Sequence, residues 1–150
     1  MTTVFDVPAD PLIRKLGEKL KADPKFDAPP WAKFAKTGIH REKTPTDPNW
    51  WQPRVASIAR KVYLHGPIGV IHLSAEYGGT RDRGSKPNKA RLGSRSIVRT
   101  ALKQLETAGY VQAIKGKGRI LAPAGRKLLD ATAHEIAKEL EVKIPALAKY

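Results

Sequence analysis

The 150 residues carry 28 Lys and Arg against 14 Asp and Glu, a net charge of +14, and no cysteine. This length predicts one domain with a real core, and the missing thiols exclude both a disulfide framework and a thiolate metal site. The excess charge attracts phosphate polyanions without specifying a fold. It is concentrated in residues 80–125, which hold 11 basic and 2 acidic side chains, against 12 and 8 in residues 1–79 and 5 and 4 in residues 126–150. Lysine-rich surfaces that serve only solubility usually interleave both signs, so nucleic acid is the expected partner. The opening MTTVFDVPADPL lacks the charged start and apolar run of a signal peptide. No apolar stretch approaches the ~20 residues of a membrane span. A cytoplasmic protein is expected.

In chain order, Asp6 or Asp10 is placed to cap a first helix, with Pro8 or Pro11 near its opening turn. Leu12, Ile13, Leu16 and Leu20 supply its apolar face. At about residues 24–53 the texture changes. Six of the twelve prolines and all three tryptophans fall there. The prolines argue against long regular helix, and disordered linkers are poor in large aromatics, so an ordered segment wrapped over the domain is expected. Trp31, Phe34, Trp50 and Trp51 are its expected anchors, with one of the adjacent Trp50–Trp51 pair exposed; base stacking by these rings is the alternative.

From Pro53 to about Leu64, Val55, Ile58, Ala59 and Val62 recur at helical spacing until Gly66-Pro67 stops the run. Arg54, Arg60 and Lys61 lie mostly off that stripe, available to phosphate. A shorter helix carries Val70, Leu73 and Tyr77 and ends at Gly78-Gly79. Residues 80–93, TRDRGSKPNKARLG, read as a basic loop containing Arg81, Arg83, Lys86, Lys89 and Arg91.

The most informative stretch is Ser94 to Gly125. Ile97, Val98, Ala101, Leu102, Leu105 and Ala108 fall on one side of a 3.6-residue repeat, while Arg95, Arg99 and Lys103 stack on the other. Gly109 stands where a left-handed C-terminal cap belongs. Residues 110–114 and 119–121 then read as strands around a basic turn, which places Lys115, Lys117 and Arg119 on a hairpin. Glu106 is a candidate helix partner for Lys103. Leu128, Thr132, Ile136 and Leu140 mark a last helix from about Pro123 to Val142.

These elements predict a mostly α, winged-helix-like single domain over residues 1–150: a three-helix core and a two-stranded wing, with additional N- and C-terminal helices. In duplex-DNA readers the second and third helices are joined by a turn of about 3–4 residues. Here the junction is a basic loop of fourteen residues. It obstructs simple insertion into a major groove and suits phosphate-rich, irregular RNA.

Sites for chemistry are absent from the pattern. His40, His65, His72 and His134 are scattered, with no zinc-ligand spacing. Gly116-Lys117-Gly118 lacks the phosphate-loop frame, and no serine sits in a nucleophile elbow. No enzyme activity, cofactor, metal or small-molecule substrate is expected.

The segments DVPADPLIRKL, PPWAKFAKTGIH, DPNWWQPRVASIARKVYLHGPIGV, YGG, GSRSIVRTALKQLETAGYV and GKGRILAPAG, in this order, cover nearly the whole chain. Together they resemble the archaeal and eukaryotic small-ribosomal-subunit protein family nineteen-e. The resemblance implies an all-helical winged-helix-like body bound to ribosomal RNA in the head of the small subunit, with neighbouring ribosomal proteins as partners. From eukaryotic relatives it also implies a role in subunit assembly and rRNA maturation. The family's basic helix after the tryptophan pair maps onto Arg54, Arg60 and Lys61. Its basic loop and following helix map onto Arg81, Arg83, Arg91, Arg95 and Arg99. The competing readings are a winged-helix transcription regulator on duplex DNA, or a protein-interaction scaffold. The regulator needs a dimer, and with no heptad seam or dimer helix in the sequence a free monomer is expected.

Overall fold

The helical periodicities become five helices in the computed structural model, which describes residues 2–149. Helix α1 (Ala9–Lys21) buries Leu12, Leu16 and Leu20, and it is entered through Pro8 with no side-chain cap. The expected aspartate caps are therefore corrected. Asp6 instead closes a 3-10 turn at Val4–Asp6, accepting the Thr3 amide at 2.7 Å and its hydroxyl at 2.8 Å. Asp10 lies inside the first turn of α1, where its charge complements the positive end of the helix.

Helix α2 (Trp51–His65) begins two residues before Pro53, because proline is tolerated in a first turn whose amides have no helical partner. Its stripe of Val55, Ile58, Ala59 and Val62 is buried and packs on α1 and on α4 (Arg95–Thr107). The short α3 (Val70–Glu76) completes the three-helix core by packing on α4. Helix α5 (Pro123–Lys143) lies across α1 and α2. Three ion pairs fasten it: Lys15 to Glu139 at 2.6 Å and to Glu135 at 3.2 Å, and Lys19 to Glu135 at 2.8 Å.

Between α3 and α4 the chain is not a loop. Strands β1 (Gly79–Arg81) and β2 (Lys89–Arg91) pair antiparallel, with Gly79 opposite Arg91 and Arg81 opposite Lys89. Apart from half-buried Gly79 these strands are exposed, so no apolar alternation marks them and the backbone alone carries the pairing. The expected wing is present as β3 (Val111–Ile114) and β4 (Gly118–Leu121). With two hairpins the body is mostly, not wholly, helical.

The wing is joined to the core by an unforeseen bridge. Ile68, between α2 and α3, exchanges both backbone hydrogen bonds with Arg119 at 3.0 Å each. A strand-like residue between the first two core helices, paired to the wing, completes the winged-helix order of elements. Gly118 makes this approach feasible: its φ is +108°, and a Cβ there would lie 2.6 Å from the Ile68 carbonyl. Gly109 likewise takes a left-handed φ of 78° at the end of α4.

The Pro/Trp-rich segment is ordered, as expected, through 3-10 turns at Pro24–Phe26 and Pro30–Lys33. Its anchors are only partly the expected ones. Trp51 is wholly buried and donates its indole N–H to Gln104 Oε1 at 2.9 Å, and Gln104 in turn donates to the Asp27 carbonyl at 2.9 Å. Trp31 and Trp50 pack edge-on against Trp51, with ring centroids 5.6 and 5.5 Å away. Phe34 is no anchor; it is 81% exposed. Phe26 takes the buried place, its ring stacked 6.1 Å from that of Tyr110.

Candidate nucleic-acid interface

Helix α4 separates its two faces as its period requires. Ser94 Oγ accepts the Ile97 amide at 3.4 Å and sets the start of the helix. Ile97, Val98, Ala101, Leu102 and Leu105 are buried, whereas Arg95, Arg99 and Lys103 are all exposed. Lys103 does not pair with Glu106. That carboxylate accepts from Nε of Arg119 across to the wing, with both side chains largely shielded from solvent. The exposed α4 face therefore has no carboxylate partner among the described residues.

The β1–β2 hairpin extends this face. Arg81, Lys86, Lys89 and Arg91 are exposed; Arg83 is half-buried and donates to the Pro87 carbonyl at 3.3 Å. The root of the hairpin is pinned on both sides. The Gly93 amide donates to Ser74 at 2.8 Å, and the Ser94 amide donates to Thr37 at 2.9 Å. The hairpin and the start of α4 are thus positioned against one another and against the Pro/Trp-rich segment. At the wing, Lys115 and Lys117 are exposed beside the turn, while Arg119 is turned inward.

The α2 cations behave differently. The Arg54 guanidinium lies 4.5 Å above the Tyr77 ring centroid. Burial, and then the neighbouring Arg41, push it below its ordinary value, though a guanidinium keeps its proton at neutral pH. Burial likewise raises the Tyr77 phenol, whose oxygen shares a 2.7 Å hydrogen bond with Ser57. Lys61 pairs with Glu76 at 2.6 Å, and this hydrogen bond holds the Glu76 carboxyl below the usual carboxylate range. Arg60 has a buried Nε with no partner, an arrangement that native structures rarely leave unexplained. Arg54 and Lys61 therefore brace α2 against α3, and of the three Arg60 has neither an ion-pair nor a cation–π partner among the described residues.

Three of the expected residues, Arg81, Arg91 and Arg95, meet around one open groove, joined by Lys36 from the Pro/Trp-rich segment. Lys36 was missed by sequence reading. The pairing of Gly38 with Gly93 and the hydrogen bond from the Ser94 amide to the Thr37 carbonyl bring it there, and no local pattern announces either contact. Among the described residues no cluster of His, Asp and Glu is arranged to hold a metal, and no helix is long and apolar enough to cross a membrane.

The family model described as ribosomal protein S19e matches residues 3–139. The small ribosomal subunit protein eS19 of Aeropyrum pernix is 48% identical over 152 residues, covering 100% of this chain and 99% of the relative. That of Thermoplasma acidophilum is 47% identical over 150 residues, with the same coverage. Similarity reaches the eukaryotic eS19B of Schizosaccharomyces pombe at 36% identity, over 93% of this chain and 97% of the relative. The match runs through the tryptophan pair, both hairpins and α4 alike, and the chain belongs to the ribosomal protein S19e family.

Proposed function

We propose that this chain is a structural component of the small ribosomal subunit in the cytoplasm, held on ribosomal RNA in the subunit head beside other ribosomal proteins. In this reading it also supports subunit assembly and rRNA maturation. One observation carries the RNA contact: Arg81, Lys86, Lys89, Arg91, Arg95, Arg99 and Lys103 stand exposed on two adjoining elements, with no carboxylate partner among the described residues. A surface that repels itself in this way is stabilised by a polyanion, and arginine forks match phosphate geometry. Lys115 and Lys117 extend the contact to the wing, and Arg60 is the α2 contribution. The membership of relatives named as small-subunit proteins supports the same reading.

Sedimentation tests it. The protein should travel with small subunits and be released by high salt or nuclease, because each phosphate contact releases counterions. Tight binding of a dimer to a palindromic DNA site at moderate salt, without association with subunits, would favour the transcription-regulator reading instead.

A further inference from the structure

We propose that the groove between the Pro/Trp-rich segment and the β2–α4 junction holds a single unstacked nucleotide of the bound RNA. The inference rests on the rRNA-binding reading and deepens it. The groove is open to solvent and offers about 720 Å³, on the scale of clefts that take small ligands. Its lining combines two chemistries. Ile39 and Leu92 are aliphatic and remain 57% and 43% exposed, while Lys36, Arg81, Arg91 and Arg95 ring them with positive charge and no carboxylate takes part. Phosphate contact alone explains the cations but leaves two exposed aliphatic side chains among them without a purpose. A base explains both, since its flat apolar face covers the aliphatics while its own phosphates meet the cations.

Three of the four cations are arginines, whose planar guanidinium groups stack on bases as well as forking phosphate. Arg81, Arg91 and Arg95 belong both to the groove and to the exposed basic face of the hairpin and α4, so a strand tracked by that face leads into it. The walls are set before binding: Gly38 bridges Gly93, and the Ser94 amide donates to Thr37 at 2.9 Å. A pre-formed groove orders little on binding and so loses little affinity to entropy. Paired RNA offers it nothing, because stacked bases are closed to such a groove; bulges and loops splay bases outward.

The test compares two blunt-ended RNA duplexes that differ only by one bulged 2-aminopurine, titrated with the full chain. The bulged duplex should bind at least about fivefold tighter, in keeping with the worth of one stacked base, and its fluorescence should change as the base leaves the helix. The variant Ile39→Ser with Leu92→Ser, and Ile39→Ser alone, should erase the preference and the fluorescence change. Affinity for the fully paired duplex and its salt dependence should stay as they were. Equal binding of the two duplexes, or a preference untouched by both variants, overturns the proposal while leaving the rRNA-binding reading intact. Loss of salt-dependent binding to every RNA would overturn both. Capture of an acidic, leucine-rich peptide in the groove with no bulge preference would make it a protein-docking surface and overturn the nucleotide.

Discussion

Arg119 in β4 and Glu106 in α4 form an ion pair that joins the wing to the third core helix, with side chains only 23% and 29% exposed. The pair turns Arg119 inward and engages the carboxylate that stands three residues after Lys103 on the same helix. One contact thus stabilises the fold and leaves the basic face uncompensated. Removing either partner leaves a partly buried charge alone. Arg119→Gln should therefore cost about 1–3 kcal/mol, between the values for exposed and fully buried pairs. Lys115→Gln with Lys117→Gln should leave the melting temperature within error, since exposed substitutions cost under about 0.5 kcal/mol, while RNA binding weakens. Thermal melts beside filter binding distinguish the two effects. An unchanged melt for Arg119→Gln would mean that the wing is not braced through this pair.

The aromatic segment supplies a second contrast. Trp51 is wholly buried and hydrogen-bonded to Gln104, so Trp51→Ala should destabilise by about 3–5 kcal/mol. Phe34→Ala, at a side chain 81% exposed, should change stability by no more than about 0.5 kcal/mol. Denaturant unfolding measures both.

These two residues also mark where the sequence ran out. The faces of α4 and the stop at Gly109 could be read because a 3.6-residue period and a left-handed cap are local properties of the chain. Phe34 lies where the segment at 24–53 has no period, so nothing local marks it as facing water. Trp51 stands four residues before Val55 and seven before Ile58, on the buried stripe of α2, a signal lost when the helix is begun at Pro53. Strands β1 and β2 escaped notice for a related reason. Three-residue strands exposed on nearly every position leave no alternation to detect. Arg119 and Glu106 are thirteen residues apart, and their pairing follows from the fold of the wing over α4, as does the arrival of Lys36 at the groove. The composition of the basic surface was legible; which of its cations are committed to the fold was not.

Acid should loosen the contact between α1 and α5. The Glu135 carboxyl is held below its ordinary value by hydrogen bonds from Lys19 and then Lys15. A depressed carboxylate contributes stability in full above its unfolded-state value and loses it as pH falls through the folded-state value. Glu135→Gln should therefore lower the melting temperature slightly at neutral pH and flatten its fall on acidification. Melts across the acidic range check this. A variant whose acid limb is as steep as the wild type's would assign that limb to other carboxylates.

The central claim is that the outer face of α4, as distinct from its inner face, carries the RNA contact. The decisive measurement is salt-titrated binding to small-subunit rRNA, run beside circular dichroism melts, for two variants. Arg95→Glu with Arg99→Glu should abolish association while unfolding stays cooperative near the original temperature, because both side chains are exposed and an acidic residue in the first turn suits the helix dipole. Leu105→Ala, at a side chain 1% exposed, should do the reverse, losing about 2–5 kcal/mol of stability with the basic face intact wherever the domain remains folded. A double charge reversal that folds and binds rRNA with wild-type affinity and salt dependence would contradict the account and move the RNA surface away from α4.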